Sequence, residues 1–187
     1  MDEALVIAVI CGTTREGRES IKAARWIAEF GRTQPQVEII FVDPKDFHLP
    51  PDGAPQDGRD PKYSEITERA DAFFIVTPEY NHGYPGSLKR LLDSEDDNYA
   101  HKPVALAGVS NGAWGGTRAC EALLPVLRTL GLAVSSRTVY FPRIQEIFDE
   151  QNSMKPDFTE GYTKSVQGAY DDLIWLAWAL KTARAKA

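Results

Sequence analysis

A chain of 187 residues, 43% of them hydrophobic, suits one domain with a full core and leaves little room for a second. The net charge of -6, from 21 basic and 27 acidic residues, excludes a general attraction to nucleic acid or to anionic membrane, so any anionic ligand must be held by a local site. No apolar run is long enough to span a bilayer and the start Met1-Asp2-Glu3-Ala4 lacks a basic signal-peptide opening, which makes a cytoplasmic protein the default expectation.

The run Leu5-Val6-Ile7-Ala8-Val9-Ile10 is apolar throughout, rich in β-branched residues and too short for a typical helix. It reads as a strand buried on both faces. Comparable runs follow at 37–42, 72–77, 104–109 and 134–140, with helical patterns between them at 20–30, 64–70, 87–92 and 117–130. Strand then helix, repeated, predicts an α/β domain around a parallel sheet. Two stretches read as irregular. Residues 44–61, with five prolines among Asp and Gly, predict a surface loop, and residues 141–160, holding Pro142 and Pro156, a link to the last helix. That helix is expected over 162–185, where Val166, Tyr170, Leu173, Ile174, Ala177 and Leu180 recur at helical spacing. Trp175 and Trp178 within it read as core or interface packing and not as a ligand site. Cys11 and Cys120 form neither a CxxC nor a Cys/His cluster, which argues against a disulfide framework, an iron–sulfur cluster or a zinc site; both read as small core residues.

The segment Gly12-Thr13-Thr14-Arg15-Glu16-Gly17-Arg18-Glu19-Ser20 links the first strand to the first helix, the place where ligands gather in an open α/β sheet. Backbone N–H groups at the helix start, the hydroxyls of Thr13, Thr14 and Ser20, and the guanidinium groups of Arg15 and Arg18 suit a phosphate dianion. The plainer reading is an N-capped helix, with Ser20 as cap and solvated arginines. Gly17 is followed by Arg18-Glu19 and not Lys-Ser/Thr, so no Walker A motif is present, and a Gly-x-Gly-x-x-Gly dinucleotide fingerprint is missing too. A terminal monophosphate, as on FMN, fits better.

Two further loops follow strands. Thr77-Pro78-Glu79-Tyr80-Asn81-His82-Gly83-Tyr84-Pro85-Gly86-Ser87-Leu88-Lys89 has an irregular backbone with no obvious partners for its amides, suited to the polar edge of a flat heteroaromatic ring. Ser110-Asn111-Gly112-Ala113-Trp114-Gly115-Gly116-Thr117-Arg118 carries three glycines that allow close backbone approach to a ligand as it opens a helix. In the doubly wound strand order 2-1-3-4-5 the ends of strands one, three and four are neighbours around the switch point.

With these residues together, the sequence resembles the NAD(P)H-dependent FMN reductases, flavodoxin-like enzymes that include quinone, azo-dye and chromate reductases. The likeness runs from Leu5 to Tyr140 and is most specific in Pro78-Glu79-Tyr80-Asn81 with the trailing Pro85-Gly86-Ser87-Leu88-Lys89. It implies a flavodoxin-like three-layer sandwich: a five-stranded parallel sheet in order 2-1-3-4-5 with helices on both faces. It also implies FMN and NAD(P)H as cofactors, small-molecule electron acceptors, and a homodimer or homotetramer with the flavin close to a subunit interface. By position, Thr13, Thr14, Arg15, Arg18 and Ser20 would hold the phosphate. Pro78, Glu79, Tyr80 and Asn81 would line the isoalloxazine, and Ser110, Asn111, Gly112, Gly115 and Gly116 would approach its pyrimidine side. One departure stands out: Asp93-Ser94-Glu95-Asp96-Asp97 replaces the usual apolar continuation of the helix before it.

The resemblance further implies that NAD(P)H passes a hydride to the flavin and that the reduced flavin then serves a quinone, azo compound, metal ion or free flavin in the same place, a ping-pong order. No side chain need act as a nucleophile. His82 reads either as a general acid or as an exposed polar contact, and Glu79 is expected to point to solvent or a partner subunit. The rival readings are a flavodoxin-type electron carrier, which the two arginines of the phosphate loop disfavour, and a fold relative without flavin.

Overall fold

The computed structural model describes residues 4–49 and 59–186. Five strands, β1 (Leu5–Cys11), β2 (Val37–Val42), β3 (Ala72–Pro78), β4 (Pro103–Val109) and β5 (Ala133–Phe141), form one sheet in the order β2-β1-β3-β4-β5. Every neighbouring pair is parallel. The connections are α1 (Ser20–Arg32), α2 (Pro61–Arg69), α3 (Gly86–Asp93) and α4 (Thr117–Thr129), followed after β5 by the short α5 (Ile144–Ile147) and the long α6 (Pro156–Arg184). This is the flavodoxin-like arrangement expected, and the central strands read as unbroken apolar runs because both faces of the sheet are covered.

Side chains alternate across the sheet, and the two sets pack on different helices. Ile7, Val9, Cys11, Phe74, Val76, Ala107 and Val109 face α1 and α6, where Ile27, Val166, Tyr170 and Leu173 complete the packing. Ala8, Ile10, Phe73, Ile75, Val104 and Leu106 face the opposite layer, meeting Tyr63 of α2, Leu88 and Leu91 of α3, and Leu123 and Leu127 of α4. The large buried phenols inside these layers are paired: the Tyr170 hydroxyl donates to the Ile27 carbonyl at 2.9 Å, and the Tyr63 and Tyr99 hydroxyls bond each other at 2.7 Å.

Three expectations change. The last helix starts six residues earlier than its apolar periodicity suggests, because Pro156 occupies its first turn, where a missing N–H is harmless. Phe158 and Tyr162 thereby reach the core, and Tyr162 stacks on Phe141 with ring centroids 4.5 Å apart. The 141–160 link holds the α5 turn and the first residues of α6, so it is only partly irregular. Trp178 packs against the core as expected, but Trp175 is 70% exposed and belongs to no core. In the proline-rich stretch, a 3-10 turn at Pro44–Asp46 and the start of α2 at Pro61 flank residues 50–58, which lie outside the described residues.

Candidate functional site

The carboxyl ends of β1, β3 and β4 meet at an open cleft of about 300 Å³. Of the residues expected there, Arg15, Arg18, Ser20, Pro78, Glu79, Tyr80, Ser110 and Asn111 line it. Thr13, Thr14, Asn81, His82, Gly112, Gly115 and Gly116 lie around it without forming its walls. Glu16, Gly17, Glu19, Val109 and Ile144 also line the cleft and were not singled out in the sequence. The loop residues among them could have been, from their position; Ile144 carries no local signal, since it arrives from α5 after the last strand.

The loop after β1 is built as a cradle. A Cβ on Gly12 would sit 2.8 Å from the Val76 carbonyl oxygen, so only glycine lets the chain leave the sheet so close to β3. Thr13, almost fully buried, accepts from the Arg15 amide and shares a 3.2 Å hydrogen bond with the Tyr80 hydroxyl. The Thr14 amide donates to Ser87 Oγ at 3.3 Å. These threonines therefore brace the loop against the neighbouring one. Ser20 begins α1 without capping it, and its buried hydroxyl has no hydrogen-bond partner among the described residues. A buried hydroxyl left unpaired costs about 1–3 kcal/mol, so it marks a place for an acceptor. The amides of Glu16, Gly17, Glu19 and Ser20 likewise make no hydrogen bond within the described residues.

The two arginines have different situations. Arg18 forms a shielded ion pair with Asp43, at the end of β2, and donates to the Thr13 carbonyl at 2.6 Å. Its charge is already met by a carboxylate, so its place is to hold the loop in shape. Arg15 has no carboxylate partner among the described residues; its guanidinium lies 5.2 Å from the centre of the Tyr80 ring. Glu16 pairs with Lys45 at 2.5 Å, which holds its carboxyl below the usual range, and Glu19 pairs with Lys22 at 2.6 Å. Arg15 is thus the uncompensated cation of this loop among the described residues. Beneath it, burial pushes the Cys11 thiol up to about 11, against the opposing charge of Arg18, and burial raises Cys120 to about 12. Both stay protonated at neutral pH, as core residues should.

The loop after β3 is more ordered than its sequence suggests. The Glu79 amide donates to the Val109 carbonyl at 2.9 Å, and Tyr80 and Gly83 exchange backbone hydrogen bonds around a tight turn. Asn81 and His82 occupy its centre with φ of 49° and 69°, and their amides have no acceptor among the described residues. The His82 side chain is exposed at this tip. Glu79 departs from the outward orientation expected of it. Its side chain is 5% exposed and turns back to Arg118 in the first turn of α4, accepting from Nε at 2.7 Å and from the backbone amide at 3.2 Å.

The loop after β4 is anchored through its own backbone. The Ser110 amide donates to the Phe141 carbonyl at 3.1 Å, and its hydroxyl donates to the Gly112 carbonyl at 2.9 Å. Gly115 and Gly116, with φ of 60° and 84°, have a packing reason beyond ligand approach: a Cβ on Gly116 would run into Gly108 and the Val109 amide, where α4 crosses the end of β4. Trp114 stands 66% exposed, its ring against Arg118.

A parallel sheet in this order, with an open cleft where the loops after β1, β3 and β4 meet, is a flavodoxin-like arrangement with its ligand position at the switch point. Comparison with known proteins makes this specific. Residues 5–146 match the family described as NADPH-dependent FMN reductase, and the chain belongs to that family. It is 33% identical over 139 residues to an NAD(P)H-dependent FMN reductase of Schizosaccharomyces pombe, a match covering 69% of this chain and 68% of the relative. It is 26% identical over 163 residues to a quinone reductase of Pseudomonas putida, covering 82% and 87%. Among solved structures it resembles the flavoenzyme NAD(P)H:(acceptor) oxidoreductase FerB from Paracoccus denitrificans, with a TM-score of 0.73 at 22% identity over 91% of this chain and 97% of that one. The chain is an oxidoreductase of a family that uses FMN and NAD(P)H. The site fits FMN: the orphaned buried Ser20 hydroxyl, a cation without a carboxylate partner among the described residues and free loop amides share the cleft with Pro78, Tyr80 and Ser110.

Proposed function

We propose that the protein is an NAD(P)H-dependent FMN oxidoreductase in which one open cleft admits NAD(P)H and then a small oxidant, a quinone, azo compound, metal ion or free flavin, in ping-pong order. The observation that carries this reading is the cleft itself, with the uncompensated Arg15 and the orphaned Ser20 hydroxyl beside the walls formed by Pro78, Tyr80, Ser110 and Asn111. Arg15, Ser20 and the free amides of the loop would hold the FMN phosphate; Thr13, Thr14 and Arg18 keep that loop in place. Pro78 to Asn81 and Ser110 to Gly112 would border the ring. When bound, FMN supplies the redox chemistry, which no side chain in this cleft offers. The free amides of Asn81 and His82 are donors for negative charge that builds up at the ring's polar edge. An assembly of identical subunits, dimer or tetramer, and a cytoplasmic location belong to the same reading. No helix among the described residues is long and apolar enough to cross a membrane, and the exposed Trp114 and Trp175 offer apolar surface to a second subunit.

The test is optical. Purified protein incubated with FMN and freed of excess is expected to be yellow, to bleach on anaerobic addition of NADPH or NADH, and to recover its colour on adding a quinone. A protein that takes up no FMN sinks the proposal, and colour that neither nicotinamide bleaches identifies an electron carrier instead.

A further inference from the structure

A second cleft, of about 350 Å³, lies between the loop after β4, the short α5 and the first two turns of α6. Hydrogen bonds join its wall to that of the cleft at the strand ends. Arg143 lines this cleft and Ile144 the other, and their amides donate to the Gly112 and Ser110 carbonyls at 3.0 and 3.1 Å. Gln145 Nε2 adds a 3.3 Å bond to the Asn111 carbonyl, so three consecutive residues tie α5 to the loop after β4.

The apolar part of the lining is Ile147, Phe158 and Tyr162. Tyr162 is held in place: its ring stacks on Phe141, 4.5 Å between centroids and 1° from parallel, and its hydroxyl donates to the Tyr140 carbonyl at 3.3 Å. Phe158 packs against the same core. Rings fixed in this way can take a flat aromatic guest without losing freedom of their own.

Arg143 supplies the charge. Its backbone sits at φ 46° and ψ 50°, the left-handed region that favours glycine, yet the position carries a long cationic side chain. Arg143 is exposed and has no carboxylate partner among the described residues. Glu146 is the one acid of the lining among the described residues, and its carbonyl accepts from Lys155 Nζ at 2.8 Å. A guanidinium that shares a cleft with one carboxylate suits a single negative charge and disfavours a dianion such as phosphate.

We infer that this cleft binds a small aromatic acid, a carboxylate or sulfonate on a flat ring. Arg143 holds the acid group, Phe158 and Tyr162 take the ring, and occupancy is transmitted through α5 to the loop after β4. The site goes beyond the flavin reading and stands without it; only the transmission to a bound flavin rests on that reading.

Heat of binding tests the site, and the absorbance of bound flavin tests the transmission. In titrations of the FMN-loaded protein, 2-naphthoate is expected to bind about tenfold more tightly than its methyl ester, the scale of one charge-assisted contact. It should also bind more tightly than octanoate, which has the charge without the ring. Asparagine tolerates a left-handed backbone, so Arg143→Asn is expected to hold the thermal midpoint while bringing 2-naphthoate down to the affinity of the ester. Arg143→Lys keeps part of the preference, and Glu146→Gln, by removing a like charge, is expected to tighten 2-naphthoate about threefold. Saturation should produce a flavin difference spectrum with the same dissociation constant as the heat. Equal binding of 2-naphthoate and its ester, or a preference that survives Arg143→Asn, overturns the site. Octanoate binding as tightly as 2-naphthoate overturns the aromatic class, and heat without a spectral change overturns the transmission. A protein that takes up no FMN but gives the same heats, with the same dependence on Arg143, would keep the site and remove the flavin reading.

Discussion

Arg15 and Arg18 stand three positions apart in one loop, yet their surroundings assign them different work. Arg18 is enclosed with Asp43, the two side chains 10% and 13% exposed. Arg15 lines the cleft, its guanidinium beside the Tyr80 ring and without a carboxylate partner among the described residues. Replacing each by alanine should therefore separate binding from stability. Arg15→Ala is expected to weaken FMN binding by about 2 kcal/mol, roughly 30-fold, the value of a charge-assisted contact, with an unchanged urea midpoint. Arg18→Ala leaves the shielded Asp43 carboxylate without its partner and is expected to cost about 3 kcal/mol of folding stability. Fluorescence titration with FMN and urea unfolding of both variants give the comparison. Flavin affinity that is indifferent to Arg15 would count against the phosphate assignment.

At the scale of elements, the loop after β3 is fastened to α4 by Glu79 and Arg118. Glu79 contributes backbone to the cleft wall and side chain to the first turn of α4, so the ion pair sets where β3 ends relative to the loop after β4. Glu79→Gln keeps a hydrogen-bond acceptor but removes the charge. It is expected to lower FMN affinity several-fold, about 1 kcal/mol, and to shift the bound flavin's absorbance spectrum. A purely structural salt bridge would lower the thermal midpoint without altering the spectrum. The sequence exposed the loop but not this contact, because 39 residues separate the partners and Glu79 alone looks like a surface acid. Asp43 escaped for the same reason, although its place after β2, the neighbour of β1, is the available clue. What could be read were the strands, because a sheet covered on both faces leaves uninterrupted apolar runs, and the loops at their carboxyl ends, because β–α turns that bind ligands need glycines and hydroxyls. Pro156 misled as a loop signal when it starts a helix. Gly115 and Gly116 were legible as glycines that let backbone approach a ligand but not as packing residues, although Gly116 is required by the crossing of α4 over β4.

For the whole molecule, the two ends of the sheet are built for different purposes. The carboxyl ends of the strands hold unpaired donors around an open cleft, whereas the opposite end is tied down by polar contacts. There Asp71 accepts from the Val6 amide at 3.1 Å, from Lys181 at 2.8 Å and from Arg184 at 3.2 Å, joining β1 and β3 to the last turns of α6. Lys102, just before β4 and 8% exposed, donates from Nζ to the Thr67 and Glu68 carbonyls at 2.7 and 3.1 Å, where α2 ends. Burial first, and the charge of Arg184 second, bring its pKa down from 10.5 to about 8. In the unfolded chain the amine titrates near its ordinary value, so between pH 8 and 10.5 the unfolded state binds more protons than the native state. The burden of a buried charge is therefore fully present below about pH 8 and is relieved as the pH rises through that window. Lys102→Met removes the titrating group, and the neutral amine still donates to both carbonyls in the wild type. The unfolding free energy of the wild type relative to K102M is expected to increase from pH 7 to pH 9.5, measured as urea midpoints and slopes at the two values. Other titrating groups cancel in that difference. A difference that stays level, or that falls with rising pH, would mean that Lys102 keeps its ordinary affinity for the proton and that the tied end of the sheet is wetter than its packing implies.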